Sequence, residues 1–403
     1  MAVCIFIALA TAAEPTASME CGLVAGRRAE NGVRVFSGIP YAAPPTHARR
    51  WRPPAAGLCW SDTLDATSFG AACPQSPGSM DVGRTSEDCL FLNVWTPTGD
   101  TAHSAPAPLK PVMLWIHGGG FVFGSGNYPN YAPTADQARA MDAVLVSINY
   151  RLGPLGWLAT SELSLDNADS LTSGNYGLMD MIAALRWVQR NIRSFGGDPA
   201  AVTLYGQSAG GTATMALMAA PAARGLFHRA LMQSGSARFN TTLREAERDN
   251  AYFIERAGCG GRASPAAGVA CLRAASTATL MNATRWDVYP GWGGGGVSGF
   301  PVLNFSWGNL AIVDGTVLPS APVDAIASGD PRRASIVPLV VGSTAQETDL
   351  FPIRPSIRNT SQHAYDALAR RAMAPFGAGA CFKTTVTFHA DPPSHSIRIS
   401  MVT

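Results

Sequence analysis

The sequence predicts an α/β fold with a mostly parallel central sheet and helices on both faces. Two observations carry this expectation. Five short runs are rich in Val, Leu and Ile and end in turn residues: "VMLWIHG" (112–118), "AVLVSINY" (143–150), "AVTLYG" (201–206), "RALMQSG" (229–235) and "IVPLVVG" (336–342). Nearly unbroken apolar runs fit strands covered on two sides, the environment of a parallel sheet. Helical patterns lie between them, and this alternation implies crossovers that cover the sheet. With 403 residues, 47% of them hydrophobic and 14% charged, the chain can bury a large core as one big α/β domain or two ordinary ones.

At the N-terminus, "MAVCIFIALATAAEP" has an apolar stretch from Val3 to Leu9 and a small-x-small site at Ala10-Thr11-Ala12. Residues 1–13 therefore read as a signal peptide, although the positive n-region is missing; the alternative is an ordinary buried segment. Eight cysteines and four N-x-Ser/Thr sequons, at Asn240, Asn282, Asn304 and Asn359, agree with a secreted glycoprotein. Residues 14–380 are expected to form the main domain and 381–403 an atypical tail. A formal charge of +2 gives no argument for nucleic acid or an anionic membrane. No apolar run reaches the ~20 residues of a membrane span.

The strand at 112–118 runs into "IHGGGFVFG" (116–124), a loop whose backbone N–H groups no side chain obstructs. A helix is expected in "GLMDMIAALRWVQRNI", with Ile182, Leu185, Val188 and Ile192 on one face, stopped by "FGGDP". Then comes "LYGQSAGGTATMAL" (204–217), a strand, a sharp turn and a helix of small residues. Gly206-Gln207-Ser208-Ala209-Gly210 fits G-x-S-x-G in the context a nucleophile elbow needs. Side chains at 206 or 210 would collide with the neighbouring elements, and the helix N-terminus behind Ser208 favours developing negative charge. The glycine loop one strand–helix–strand unit earlier is the natural second half of an oxyanion hole. By contrast, "YPGWGGGGVSGFP" (289–301) has neither the following helix nor the Lys-Ser/Thr of a phosphate cradle, and reads as plain loop.

The chain resembles the type-B carboxylesterase and cholinesterase family of α/β-hydrolases. The resemblance runs through "GIPYAAPP" (38–45), "SEDCLFLNVWTP" (86–97), "HGGGF" (117–121), "NYRLGPLGWL" (149–158), "GNYGLMDMIAALRWVQRNIRSFGGDP" (174–199), "GQSAGG" (206–211), "GLFHRALMQSGSA" (225–237), "VDGTVLP" (313–319) and "VGSTAQETDLF" (341–351). It implies the α/β-hydrolase fold and hydrolysis of small-molecule carboxylic esters, with no metal or organic cofactor. It makes Ser208 the nucleophile, the amides of Gly119, Gly120 and Ala209 the oxyanion hole, and Glu347 the triad acid, with Asp349 a nearby competitor. It also implies disulfides Cys73–Cys89 and Cys259–Cys271 and a buried Arg50–Glu87 ion pair, and leaves Cys21 and Cys59 as candidates for a third pair.

The pattern is broken in three places. Gln207 stands where many relatives carry Glu, and the Cys73–Cys89 loop holds no aromatic residue for a quaternary ammonium. Choline esters are therefore poor candidate substrates. The third departure concerns the base. The family histidine follows the acid in a Gly-x-x-His segment, and none occurs between Glu347 and Thr403. Of the seven histidines, His117 and His228 sit in structural motifs, His47, His103 and His363 in loop or helix contexts, leaving His389 and His395.

Two readings of this ending stand side by side. In one, "SQHAYDALARRAMAPFG" (361–377) is a helix, "CFKTTVTFH" (381–389) a strand, and His389 the base. In the other, the C-terminal part of the domain is incomplete through truncation or splicing, which leaves strand 336–342 as an exposed apolar edge. The expected activity is a serine ester hydrolase; the alternative is a non-catalytic, cholinesterase-like binding or adhesion protein.

Overall fold

The computed structural model describes residues 14–75, 81–97, 108–167, 171–236, 240–284, 311–344 and 398–401. The expected leader 1–13, loop 289–301, helix 361–377 and strand 381–389 lie outside the described residues. So do His103, Asn304, Glu347, Asp349, Asn359, His363, His389 and His395.

Among the described residues the main sheet has nine strands. In chain order they are β1 (Arg27–Arg28), β2 (Arg34–Pro40), β3 (Phe91–Thr96), β4 (Lys110–Ile116), β5 (Val144–Ile148), β6 (Gly197–Gln207), β7 (Arg229–Gln233), β8 (Leu339–Ser343) and β9 (Arg398–Met401). The spatial order is β9-β8-β7-β6-β4-β5-β3-β2-β1. The five runs read from sequence are the five neighbouring strands β8, β7, β6, β4 and β5, all parallel. Leu114 sits in register between Val146 and Leu204, and all three are fully buried. Strands β1, β2 and β3 add an antiparallel flank.

The expectation of a bare edge at 336–342 is corrected. The backbone of β9 pairs antiparallel with β8, placing Ser400 opposite Val341, so the ladder groups of β8 are met on both sides. Strand β8 is half-buried, unlike β4 and β5, because it lies one place from the end of the sheet.

Helices cover both faces. Helix α1 (Ala135–Met141) starts with a Thr134–Gln137 capping box and closes a small cluster of Val33, Val35, Trp95, Ala138 and Leu145. Helices α2 (Tyr176–Asn191) and α3 (Ala209–Ala219) pack on the opposite side, over Val94, Leu114, Val146, Val202 and Leu204. The switch of face between Val94 and Trp95 is the pleat of β3. Helix α2 tightens into a 3₁₀ turn over Ile192–Phe195 and stops at Gly196, whose φ of +84° is the left-handed value glycine supplies. Ile182, Leu185, Val188 and Ile192 are buried as their spacing predicts, but so are Tyr176, Leu178, Met181 and Trp187. The helix is covered on its outer side too: Tyr176 packs with Trp51, Leu163 and Phe253 in a second cluster.

Among the described residues three disulfides brace this frame: Cys73–Cys89, Cys259–Cys271 and Cys21–Cys59. The third ties Cys21, at the edge of a small N-terminal sheet (Thr16–Met19, Gly22–Ala25, Leu64–Asp65), to the segment around Trp60. Closing loops of these sizes stabilises a fold by roughly 3 kcal/mol each on the chain-entropy estimate.

Candidate active site

Strand β6 ends at Gln207 and α3 begins at Ala209, so Ser208 alone makes the turn, with φ 55° and ψ −121°. Non-glycine residues rarely adopt such angles, at a cost of about 1–3 kcal/mol. Two hydrogen bonds hold the turn: Ser208 N–H donates to the Gln233 carbonyl (2.8 Å), and Thr212 N–H donates to the Ser208 carbonyl (2.9 Å). The flanking glycines are sterically required. A Cβ at 206 would lie 2.4 Å from the Gly210 carbonyl, and one at 210 would lie 2.0 Å from the Ile116 oxygen. Glycine at both places lets α3 approach β4 and β6 closely, and every residue of the helix is buried. Ser208 itself stays partly exposed, with the first N–H groups of α3 behind it.

The glycine loop meets this turn. A Cβ on Gly118 would lie 3.1 Å from Ser208 Cβ and 2.8 Å from the Gln207 carbonyl, so loop and elbow are in van der Waals contact. Gly119 (φ +105°) and Gly120 (φ +59°) turn the chain away, closed by Val122 N–H and Phe123 N–H donating to the Gly119 carbonyl. Among the described residues, no backbone carbonyl accepts from the amides of Gly119, Gly120 or Ala209. Amides with no backbone acceptor, in and next to a loop that touches Ser208, are suited to an oxygen that gains negative charge.

His117 orients the first of these peptides. Its Nδ1 lies 2.8 Å from the Gly118 carbonyl oxygen, which can only accept, so Nδ1 carries the proton. In a trans peptide the C=O and the following N–H point opposite ways. Holding the Gly118 oxygen therefore fixes the direction of the Gly119 N–H. The imidazole stacks on Tyr150 at 4.3 Å, and Tyr150 Oη donates to the His117 carbonyl (2.9 Å). Burial lowers the His117 pKa to about 4, so the ring is neutral at ordinary pH.

The profile of the carboxylesterase family matches residues 13–374. The chain belongs to the carboxylesterase family. It is 39% identical over 347 residues to the para-nitrobenzyl esterase of Bacillus subtilis (strain 168), covering 84% of this chain and 64% of that protein. It is 38% identical over 337 residues to the fumonisin B1 esterase of Sphingopyxis macrogoltabida, covering 81% of this chain and 56% of that protein. The fold is the α/β-hydrolase fold. A solved PNB esterase superposes with a TM-score of 0.71 at 36% identity, covering 89% of this chain and 69% of that one. A carboxylesterase of Geobacillus stearothermophilus superposes with a TM-score of 0.72 at 34% identity, covering 88% and 67%. The chain thus spans less than two thirds of the length of both named sequence relatives.

In this carboxylesterase fold the structure brings together Ser208, Gly118, Gly119, Gly120, Ala209 and His117. Glu347 and His389 lie outside the described residues. The described histidines other than His117 are elsewhere: His228 pairs with Val202 at the start of β7, and His47 sits in a 3₁₀ turn. Asn240 and Asn282 are exposed, the first just ahead of the helix Leu243–Asn250 and the second in the helix Thr277–Ala283. Arg50 and Glu87 form a nearly buried bidentate pair at 2.6 and 2.5 Å. The remaining Arg50 nitrogen donates to the Arg273 and Ala275 carbonyls at the end of the helix Pro265–Ala274.

Two features of the site escaped the sequence. Gln207 Oε1 is buried with no hydrogen-bond partner, against the face of Gly118. Gln75, 49 residues before Gly124, binds both polar groups of that residue. No periodicity or motif signals such contacts. Among the described residues no group of three His, Cys, Asp or Glu side chains could hold a metal ion, and no helix is long and apolar enough to cross a membrane.

Proposed function

We propose that this chain carries the catalytic core of a serine hydrolase that cleaves carboxylic esters through an acyl-enzyme. The contact between Gly118 and Ser208 carries the reading, because it sets a strained serine beside free backbone donors. Ser208 Oγ adds to the ester carbonyl while a histidine takes its proton. The carbonyl oxygen becomes an oxyanion facing the amides of Gly119, Gly120 and Ala209. The C–O bond to the alcohol then breaks, and the alcohol leaves with the proton from the histidine. Water repeats the sequence on the acyl-enzyme and restores the serine.

Glu347 is assigned as the acid that orients the histidine, on its place after the strand β8 and on the family pattern. His389 is the candidate base within the chain, from its place in the sequence after Glu347 and after the segments expected to form a helix (361–377) and a strand (381–389). The names of the relatives, a para-nitrobenzyl esterase and a fumonisin B1 esterase, support ester substrates. Neutral Gln207 and the non-aromatic Cys73–Cys89 loop favour uncharged over cationic alcohols. The leader-like 1–13 segment, the disulfides and exposed Asn240 and Asn282 support a secreted, glycosylated product.

A fluorophosphonate probe tests the reading. Stoichiometric labelling, mapped to Ser208, is the expected result. Folded protein that takes up no label would favour the non-catalytic binding protein instead. A His389→Ala variant with undiminished turnover would remove His389 as the base.

A further inference from the structure

The glycine loop is gripped from its far end. Gln75 Nε2 donates to the Gly124 carbonyl (2.8 Å), and Gly124 N–H donates to Gln75 Oε1 (3.0 Å), a two-point clamp like one rung of a sheet. Gly124, at φ +107°, is pressed inward: a Cβ there would lie 2.5 Å from His117 Nδ1 and 2.8 Å from the Gly118 oxygen. The clamped residue thus backs the imidazole and the carbonyl that aim the Gly119 amide. A second amide bridges the same two segments, since Asn149 donates to the Ala71 carbonyl and accepts from Gly126 N–H. Asn149 follows directly on β5 and is held by the sheet.

Gln75 has no such support. It lies two residues from Cys73 and also donates to the Cys73 carbonyl (3.1 Å). Its segment is held by the Ala72 bridge to Thr85 and by the disulfide to Cys89. A continuous set of contacts runs from the disulfide through Gln75, Gly124 and His117 to the Gly119 peptide.

We propose that Gln75 is a positioning residue for the oxyanion loop, and that the Cys73–Cys89 disulfide keeps it in place, so that thiol reduction weakens acyl transfer at Ser208. The proposal rests on the esterase reading. A dithiol such as dithiothreitol supplies two electrons and two protons, giving Cys73 and Cys89 thiols and the cyclic oxidised dithiol. The loosened segment then releases Gly124, and the Gly119 N–H loses its fixed aim without being removed.

The experiment compares the oxidised wild-type chain with Gln75→Leu, Cys73→Ser/Cys89→Ser and the triple variant, on a p-nitrophenyl ester and an alkyl trifluoromethyl ketone. Loss of one oxyanion donor costs ~10²–10³ in kcat, and misaiming it should cost about tenfold. Gln75→Leu is expected to lose that tenfold in kcat with KM within about twofold, and to bind the ketone weaker by the same factor. The cysteine pair should behave alike, and the triple variant no worse, because all act through one contact. Amide exchange of a 117–124 peptide, which needs no substrate, should be faster in Gln75→Leu. If the cysteine variants fail to fold, reduction of wild type and of Gln75→Leu supplies the same comparison. An active wild type matched by Gln75→Leu in kcat and in exchange would overturn the clamp. Multiplicative losses in the triple variant would overturn the link to the disulfide. A wild type inert to ester and ketone, with exchange changed as expected, would instead remove the esterase reading and with it the catalytic meaning of the clamp.

Discussion

His117 Nδ1 donates to the carbonyl of its own neighbour, Gly118, at 2.8 Å, and the ring is buried against Tyr150. A side chain bonded one residue along its own backbone locks a local turn. Here that turn holds the Gly118–Gly119 peptide of the loop packed against Ser208, so the ring's protonation state and the loop's shape are coupled.

Stability should record this coupling. The His117 pKa is about 4 in the folded chain and ~6.5 when unfolded. Between those values the unfolded state binds a proton that the native state refuses. The contribution, about 3 kcal/mol, is therefore complete above pH 6.5 and is lost as the pH falls toward 4. Urea midpoints of wild type should drop across that window, and a His117→Asn variant should show a shallower decline. Parallel pH profiles would contradict the assignment.

Ser208→Ala should abolish fluorophosphonate labelling and lower ester turnover by up to ~10⁶-fold, as loss of a serine nucleophile does elsewhere. The fold should persist, since the Ser208 hydrogen bonds above are made by its backbone. Circular dichroism with single-turnover assays separates the two outcomes.

Gly118→Ala places a methyl 2.8 Å from the Gln207 carbonyl and 3.1 Å from Ser208 Cβ. The backbone oxygen cannot yield cheaply, so the loop must lift from the elbow. We expect kcat to fall by about 10²-fold, with the melting temperature a few degrees lower. A variant with native kcat would show that the loop's seat on Ser208 is not needed for turnover.

The pair Arg50–Glu87 predicts an asymmetry. Each side chain is 9% exposed, and Arg50 also caps the helix Pro265–Ala274. Arg50→Ala should cost about 3–5 kcal/mol in chemical denaturation, because Glu87 is left without its cation. Replacing both with apolar residues, Arg50→Met with Glu87→Leu, should recover much of that loss. Equal destabilisation by the single and double variants would contradict it.

Much of the fold was legible because each central strand is a short apolar run that needs no partner to be recognised. The elbow was legible for a related reason: Gly206 and Gly210 are exclusions written into the chain itself. Strands β2 and β3 were harder, since "RVFSGIP" is broken by glycine and proline and reads as a strand only beside its neighbour. The extent of burial around α2 was missed because its outer cover comes from Trp51 and Phe253, far away in sequence. The strand at Arg398–Met401 was missed because isolated tetrapeptides carry no periodic signal. Gln75 stayed hidden for the deepest reason: one amide finding one glycine depends on the finished loop.

Helix α3 has one more consequence, for anyone reshaping this site. All eleven of its residues are buried, between the strands and the helices that cover it, and the second glycine of the elbow already leaves no room for a methyl. Directed evolution toward bulkier acyl groups should therefore find few tolerated changes between 209 and 219, and libraries would be better spent on the connecting loops that face the serine.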